Sequence, residues 1–234
     1  MNDRGRRQFL AGVAGSGALL LADTARAAAP PAHHAKKDKA DDIPPTEDLM
    51  REHGVVRRVL IVYDEAARGL MGDDRNAAGA VAGGAALVRR FVEGYHEKLE
   101  EEFVLPALEK AGKLVELAKV IRAQHAAGRK LTDAITTAAK AVGPTTGVDQ
   151  RRALIALIQS FGRMYTAHAA WEDTELFPAY RALFTEAQLD ALGEKFEEQE
   201  HKLLGASGFE GALQEVGALE TALGIHDLAT FTPR

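Results

Sequence analysis

Six side chains recur at matched intervals along the 234-residue sequence. His53 and His96 stand 43 residues apart, and so do His125 and His168. Each second histidine opens the same pattern, His-x3-Glu-x5-Pro-Ala. One copy is His96, Glu100, Pro106, Ala107; the other is His168, Glu172, Pro178, Ala179, offset by 72 residues. On a helix, His and Glu four apart share one face, with Cβ atoms about 5–6 Å apart, so they can converge on one small object. Val92, Leu99 and Phe103 flank the first pair, and Phe161, Met164, Tyr165 and Leu176 the second. Both stripes therefore face a core, with the polar residues in the middle.

Two ionised carboxylates buried without partners would cost several kcal/mol each. Protonating them would still leave six polar groups in need of hydrogen bonds. Two cations answer both needs: Glu100 and Glu172 can bridge them, and His53, His96, His125 and His168 can complete the two sides. Imidazole and carboxylate donors without thiolate suit iron or manganese and disfavour copper(I). Zinc is compatible by donor type, but its structural sites are usually tetrahedral and single-ion. The expected cofactor is a pair of iron ions, ahead of manganese or zinc. Glu97 lies about 100° round the helix from His96 and is the candidate for a seventh ligand or an outer partner. Glu175 is a second candidate outer partner, and Tyr165 reads as packing. His201, between Glu200 and Lys202, and His226 read as surface residues.

Long stretches from Thr46 onward carry helical spacing and few turn-forming residues. Thr46 is expected to cap a first helix reaching about Leu70, with Glu47 and Asp48 in its first turn. The Gly/Asp/Asn-rich residues 71–79 separate it from a second helix ending near Lys110 and stopped by Gly112. A third runs from about Leu114 to Val142, before Gly143-Pro144, and a fourth from about Asp149 to Phe184. Thr185 and Gln188 form a capping box for a fifth, ending near Gly205. Residues 206–234 are expected to add a short helix and an extended tail. No alternating strand pattern interrupts this order, so the chain is all-α. Two antiparallel helix pairs related by pseudo-twofold symmetry would build a four-helix bundle.

The amino terminus reads as an address. Arg6-Arg7 followed by Phe9-Leu10, a Gly-diluted apolar stretch over residues 11–22, and Ala25-Arg26-Ala27 form a twin-arginine export signal over residues 1–27. The apolar run is shorter than the roughly 20 residues that span a bilayer. Residues 28–45, with Pro30-Pro31, His33-His34 and Pro44-Pro45, read as a polar tether. The bundle is expected over residues 46–205. The chain has no cysteine, which excludes disulfides, thiolate metal sites and cysteine catalysis. A net charge of −5 argues against general nucleic-acid or anionic-membrane binding.

On His53, His96-x3-Glu100, His125, His168-x3-Glu172 and the trailing prolines, residues 46–205 resemble the hemerythrin-like, HHE-domain proteins. The resemblance implies an up-down-up-down bundle around a non-haem di-iron centre. It implies histidine ligation by His53, His96, His125 and His168, with Glu100 and Glu172 as bridging carboxylates. The chain has Arg129 where oxygen-carrying members have a second histidine, and Glu172 where they have aspartate. The four-His, two-Glu set is similar to that of the repair-of-iron-centres branch, whose cysteine-bearing amino-terminal segment is absent here. The expected function is an exported di-iron protein that binds or senses O2, NO or peroxide, or handles iron. The alternatives are a peroxidase or NO-reductase type of oxidoreductase at the same centre, and a metal-free helical interaction module. Expected partners are the small oxidant or diatomic ligand and the twin-arginine export machinery, with no nucleic acid and no stable membrane association after signal cleavage. The expected compartment is the periplasm.

Overall fold

A computed structural model describes residues 43–72 and 74–233 of the chain. The expected export signal (1–27) and residues 28–42 of the expected tether, His33-His34 included, lie outside the described residues. Helix α1 spans Pro45–Met71. Helix α2 runs without interruption over residues 77–110, α3 over Val115–Ala141, and α4 over residues 148–181. Helices α5 (Glu186–Leu204) and α6 (Gly208–Ala222) follow, with a 3-10 turn at Leu228–Phe231. No strand occurs among the described residues.

Why these helices associate is visible in the spacing of their buried residues. In α3 these are Ala118, Ile121, His125, Gly128, Thr132, Ile135 and Ala139, alternating steps of three and four. In α4, Leu154, Ile158, Phe161, Tyr165, His168 and Glu172 repeat the rhythm. That spacing draws a narrow apolar seam down each helix, which suits side-by-side packing at a shallow angle. Helix α1 packs on α2 and α4, and α3 on α2 and α4, closing a four-membered ring. His125 and His168 sit within these seams, and His53 and His96 are buried on α1 and α2, so packing of the ring turns all four inward.

Two features depart from the sequence reading. Thr46 does not cap α1: the helix begins at Pro45, Pro44 accepts the first backbone bonds from Glu47 and Asp48, and Thr46 is buried in the first turn. Proline at the first helical position arrives with its φ already set and has no N–H to satisfy. The second departure is three π-helical segments, Val88–His96 and Glu100–Val104 in α2 and Glu172–Leu176 in α4. Two of them end just ahead of Pro106 and Pro178. A mid-helix proline cannot donate to the carbonyl four residues back and its ring crowds that carbonyl, so the preceding turn widens. The amides of Leu105 and Phe177 accordingly donate five residues back, to the carbonyls of Glu100 and Glu172.

The capping box at Thr185 forms as expected, its amide donating to Gln188 Oε1 at 2.9 Å. Helix α5 lies against α1 and the π-helical residues 88–96 of α2, and α6 against α1 and residues 77–87 of α2. Phe196 of α5 meets Phe103 at 5.4 Å between ring centroids, and Arg58 of α1 makes a two-pronged pair with Glu220 of α6. This hairpin covers one face of the ring and contributes nothing to the cluster inside it.

Candidate metal centre

Four helices each deliver part of one buried cluster. His53 comes from α1, His96 and Glu100 from α2, His125 from α3, and His168 and Glu172 from α4; all six are 0–3 % exposed. One set of donor atoms, from His53, His96, Glu100 and Glu172, lies mutually within 4.8 Å. A second set, from His125, His168, Glu100 and Glu172, does the same. Both glutamates belong to both sets. The sequence-derived donors are therefore brought together, all six, in two overlapping groups.

The rings share one orientation. His53 Nε2 faces Glu172 Oε2 at 3.2 Å, His96 Nε2 faces Glu100 Oε1 at 3.5 Å, His125 Nε2 faces Glu100 Oε2 at 3.1 Å, and His168 Nε2 faces Glu172 Oε1 at 3.1 Å. Every Nδ1 points outward to an acceptor: His53 to Asp173 at 2.7 Å, His96 to Glu52 at 2.6 Å, His125 to Glu101 at 3.0 Å, His168 to Gln124 at 2.9 Å. A proton on Nδ1 donated outward leaves the Nε2 lone pair directed inward, the tautomer a metal ion requires.

The protein alone leaves this cluster unsatisfied. All four carboxylate oxygens of Glu100 and Glu172, and Nε2 of His125, are buried without a hydrogen-bond partner. His53 Nε2 and His96 Nε2 face one another at 3.1 Å, lone pair towards lone pair if both protons lie on Nδ1. Buried polar atoms almost always find partners, and unpartnered buried carboxylates are costly. Cations among the four Nε2 atoms and four oxygens would satisfy each of these atoms, so the donor set fits a pair of metal ions in chemistry and arrangement.

The electrostatics carry the same tension. Burial raises the pKa of Glu172, and the charge on Glu100 raises it further. Burial also acts on Glu100, but His96, His125 and His168 override it and hold that carboxyl low. Burial resists charge on His125, yet the Glu100 carboxylate 3.1 Å from Nε2 and the hydrogen bond to Glu101 outweigh it and push the ring to about 10. His53 and His96 are likewise raised against burial, by Asp173 and Glu172 in one case and Glu100 and Glu52 in the other. In the metal-free chain protons take up part of the work of cations.

The candidate outer partners resolve unevenly. Glu97 is fully buried but belongs to neither inner set; its donor atom groups instead with Glu101 and His125. Tyr165 donates its hydroxyl to Glu97 Oε1 at 2.6 Å, and Arg129 donates to Glu97 Oε2 at 2.8 Å and Glu101 Oε1 at 2.7 Å. Tyr165 thus does more than pack against Phe161, which it stacks at 4.3 Å. It reaches Glu97 because residue 128 is glycine: a Cβ there would lie 2.4 Å from the Tyr165 hydroxyl. Glu175 is exposed and holds nothing in the centre, since the widened turn Glu172–Leu176 carries it off the buried stripe. Asp173 takes the outer role, bonding His53 and pairing with Arg57. His201 and His226 are exposed, as expected. Glu52, Glu101, Asp173 and Gln124 were not singled out from the sequence, although each directly adjoins a residue that was. The same 72-residue offset links Glu52 to Gln124, Glu101 to Asp173 and Arg57 to Arg129.

Comparison with known proteins agrees with this arrangement. The family model described as the hemerythrin HHE cation-binding domain matches residues 45–180, the four-helix ring and its cluster. Uncharacterized proteins of Mycobacterium bovis and of two strains of Mycobacterium tuberculosis are each 41% identical to this chain over 239 residues, covering 98% of it and 91% of the relative. No solved structure matches the chain significantly.

Proposed function

The chain belongs to the hemerythrin HHE cation-binding family, and on that footing we propose that it is an exported non-haem di-iron protein that binds a small oxidant or gas, namely O2, NO or peroxide. One observation carries the di-metal part: two four-donor sets that share both Glu100 and Glu172. His53 and His96 would hold one ion and His125 and His168 the other, with Glu100 and Glu172 offering an oxygen to each. The donor types favour iron, then manganese or zinc. Iron held there would supply a redox couple.

The chain's own residues do the rest. The outward Nδ1 bonds fix each ring, and Phe177, stacked 5.5 Å from His53, helps exclude water there. A cavity of about 260 Å3 between α3 and α4, with Leu117, Ile121 and Trp171 in its walls, reaches His168 and suits a small apolar molecule. Export rests on Arg6-Arg7 and the apolar stretch that follows; the twin-arginine route and a periplasmic site are part of the proposal. No helix among the described residues is long and apolar enough to cross a membrane.

Anaerobic reconstitution with iron(II), followed by absorption spectroscopy as O2, NO and peroxide are titrated in, tests the reading. Two iron per chain and a spectral change with one of the three are expected. Iron well below two per chain overturns the di-iron assignment. A second reading, turnover rather than binding, is favoured by the buried Tyr165–Glu97 pair, which can hold a proton close to His125. Steady consumption of peroxide or NO with an added reductant would distinguish it from binding.

A further inference from the structure

The repeat extends past the donors to the groups that hold them, and it is broken at one of those positions. Glu52 and Gln124 are equivalent by the 72-residue offset, yet one is a carboxylate and the other an amide. Three imidazoles therefore donate Nδ1–H to a carboxylate, and His168 alone donates to an amide oxygen. Each half also sets one arginine against two of its outer carboxylates. Glu52 and Asp173 stand against Arg57 on one side, and Glu97 and Glu101 against Arg129 on the other. The halves differ, then, in the bond made to one ring of each. An imidazole hydrogen-bonded to a carboxylate is the more basic donor, and an outer partner of this kind alters metal affinity about 10–100-fold.

A second, independent observation falls on the same residue. His168 and Gln124 both line the cavity between α3 and α4, whose other walls include Leu117, Ile121 and Ala167. This half is thus the one with the weakest outer bond, and it adjoins an opening to the surface.

Building on the di-metal reading above, we infer that the two cation positions are inequivalent. The His53/His96 position retains its ion. The His125/His168 position, whose His168–Gln124 bond borders the α3–α4 cavity, is the one where a divalent first-row cation exchanges. Gln124 and Glu52 are the positioning residues that set the difference.

Cobalt(II) added to the metal-free full chain provides the test, by competition titration against a chromophoric chelator and by anomalous X-ray scattering from crystals loaded with one equivalent. At one equivalent, cobalt is expected at the His53/His96 position in about tenfold excess over the other. Gln124→Glu should strengthen the second binding step about tenfold and leave the first in place, whereas Glu52→Gln should weaken the first by a similar factor. Both substitutions keep side-chain shape and an acceptor for the ring, and circular dichroism checks that the fold is kept. Equal occupancy of the two positions in the wild-type chain overturns the inference, as does a second step unmoved by Gln124→Glu. If two equivalents bind with equal affinity, only this inference falls; if fewer than two bind, the di-metal reading falls with it.

Discussion

Glu172→Gln separates what the bridging carboxylate does for metal from what it does for the fold. Its two oxygens face different halves of the cluster, Oε2 at 3.2 Å from His53 Nε2 and Oε1 at 3.1 Å from His168 Nε2. One side chain therefore spans both positions, and an amide, with one oxygen and one N–H2, cannot. A cation present at a thousand times its Kd stabilises the folded state by about 4 kcal/mol. For a chain of this size that is about 8–16 °C in Tm, at 2–4 °C per kcal/mol. Burial and the charge on Glu100 raise the pKa of Glu172, so the metal-free protein holds a proton there at pH 6.5 and already resembles the amide. The variant should then melt within about 4 °C of wild type when metal-free, a difference under about 1 kcal/mol. On adding cobalt(II) it should show less than half of the wild-type rise. Thermal melts by circular dichroism, with and without cobalt, measure both. An undiminished metal-induced rise in Glu172→Gln would refute the bridging role, and a metal-free variant more than about 10 °C lower would refute the account of its protonation.

Other consequences are equally open to measurement. Gly128→Ala should push the Tyr165 hydroxyl off Glu97 and cost about 1–3 kcal/mol in denaturant unfolding, despite alanine's better helix propensity. No loss would mean that the close approach is not obligatory. Arg129→Met removes a donor from the buried Glu97 carboxylate and should cost about 1–3 kcal/mol; a neutral result would mean that Glu97 is satisfied by Tyr165 alone. His201→Ala, at an exposed position, should leave metal content unchanged and stability within about 0.5 kcal/mol. Metal loading at pH 7 should release protons, because His125, at about 10 in the metal-free chain, must give one up to coordinate. The sign follows: the ring is protonated below its raised pKa, so metal affinity weakens as pH falls from 9 to 6. Calorimetry in two buffers of different ionisation heat reads the release, and identical heats would contradict it.

The inner six residues were legible because the 72-residue repeat marks them and helical spacing puts each His and Glu on one face. The outer residues were hidden for a physical reason. A Glu or Asp next to an inward-facing donor lies well round the helix and ordinarily meets water, so Glu52, beside His53, Glu101, beside Glu100, and Asp173, beside Glu172, look like solvated surface. Only the packing of a neighbouring helix gives each a ring to hold: Glu52 reaches His96, and Asp173 reaches back to His53. Continuing the offset outward from the donors would have found them. The π turns were illegible because spacing rules assume uniform helix. Pro106 and Pro178 carried the signal, and Glu175 was misassigned because the turn before Pro178 is wider than that rule allows.

The hairpin α1–α2 brings both histidines of one position and a single glutamate, and α3–α4 brings the same for the other. Neither hairpin can complete its own site without borrowing a carboxylate across the seam. The ions would therefore act as rivets between two halves of the barrel of helices, resisting separation rather than bending. Cutting the connection over residues 142–147 would leave two fragments whose cohesion depends on metal, and a chelator would then pry apart what denaturant alone strains to open.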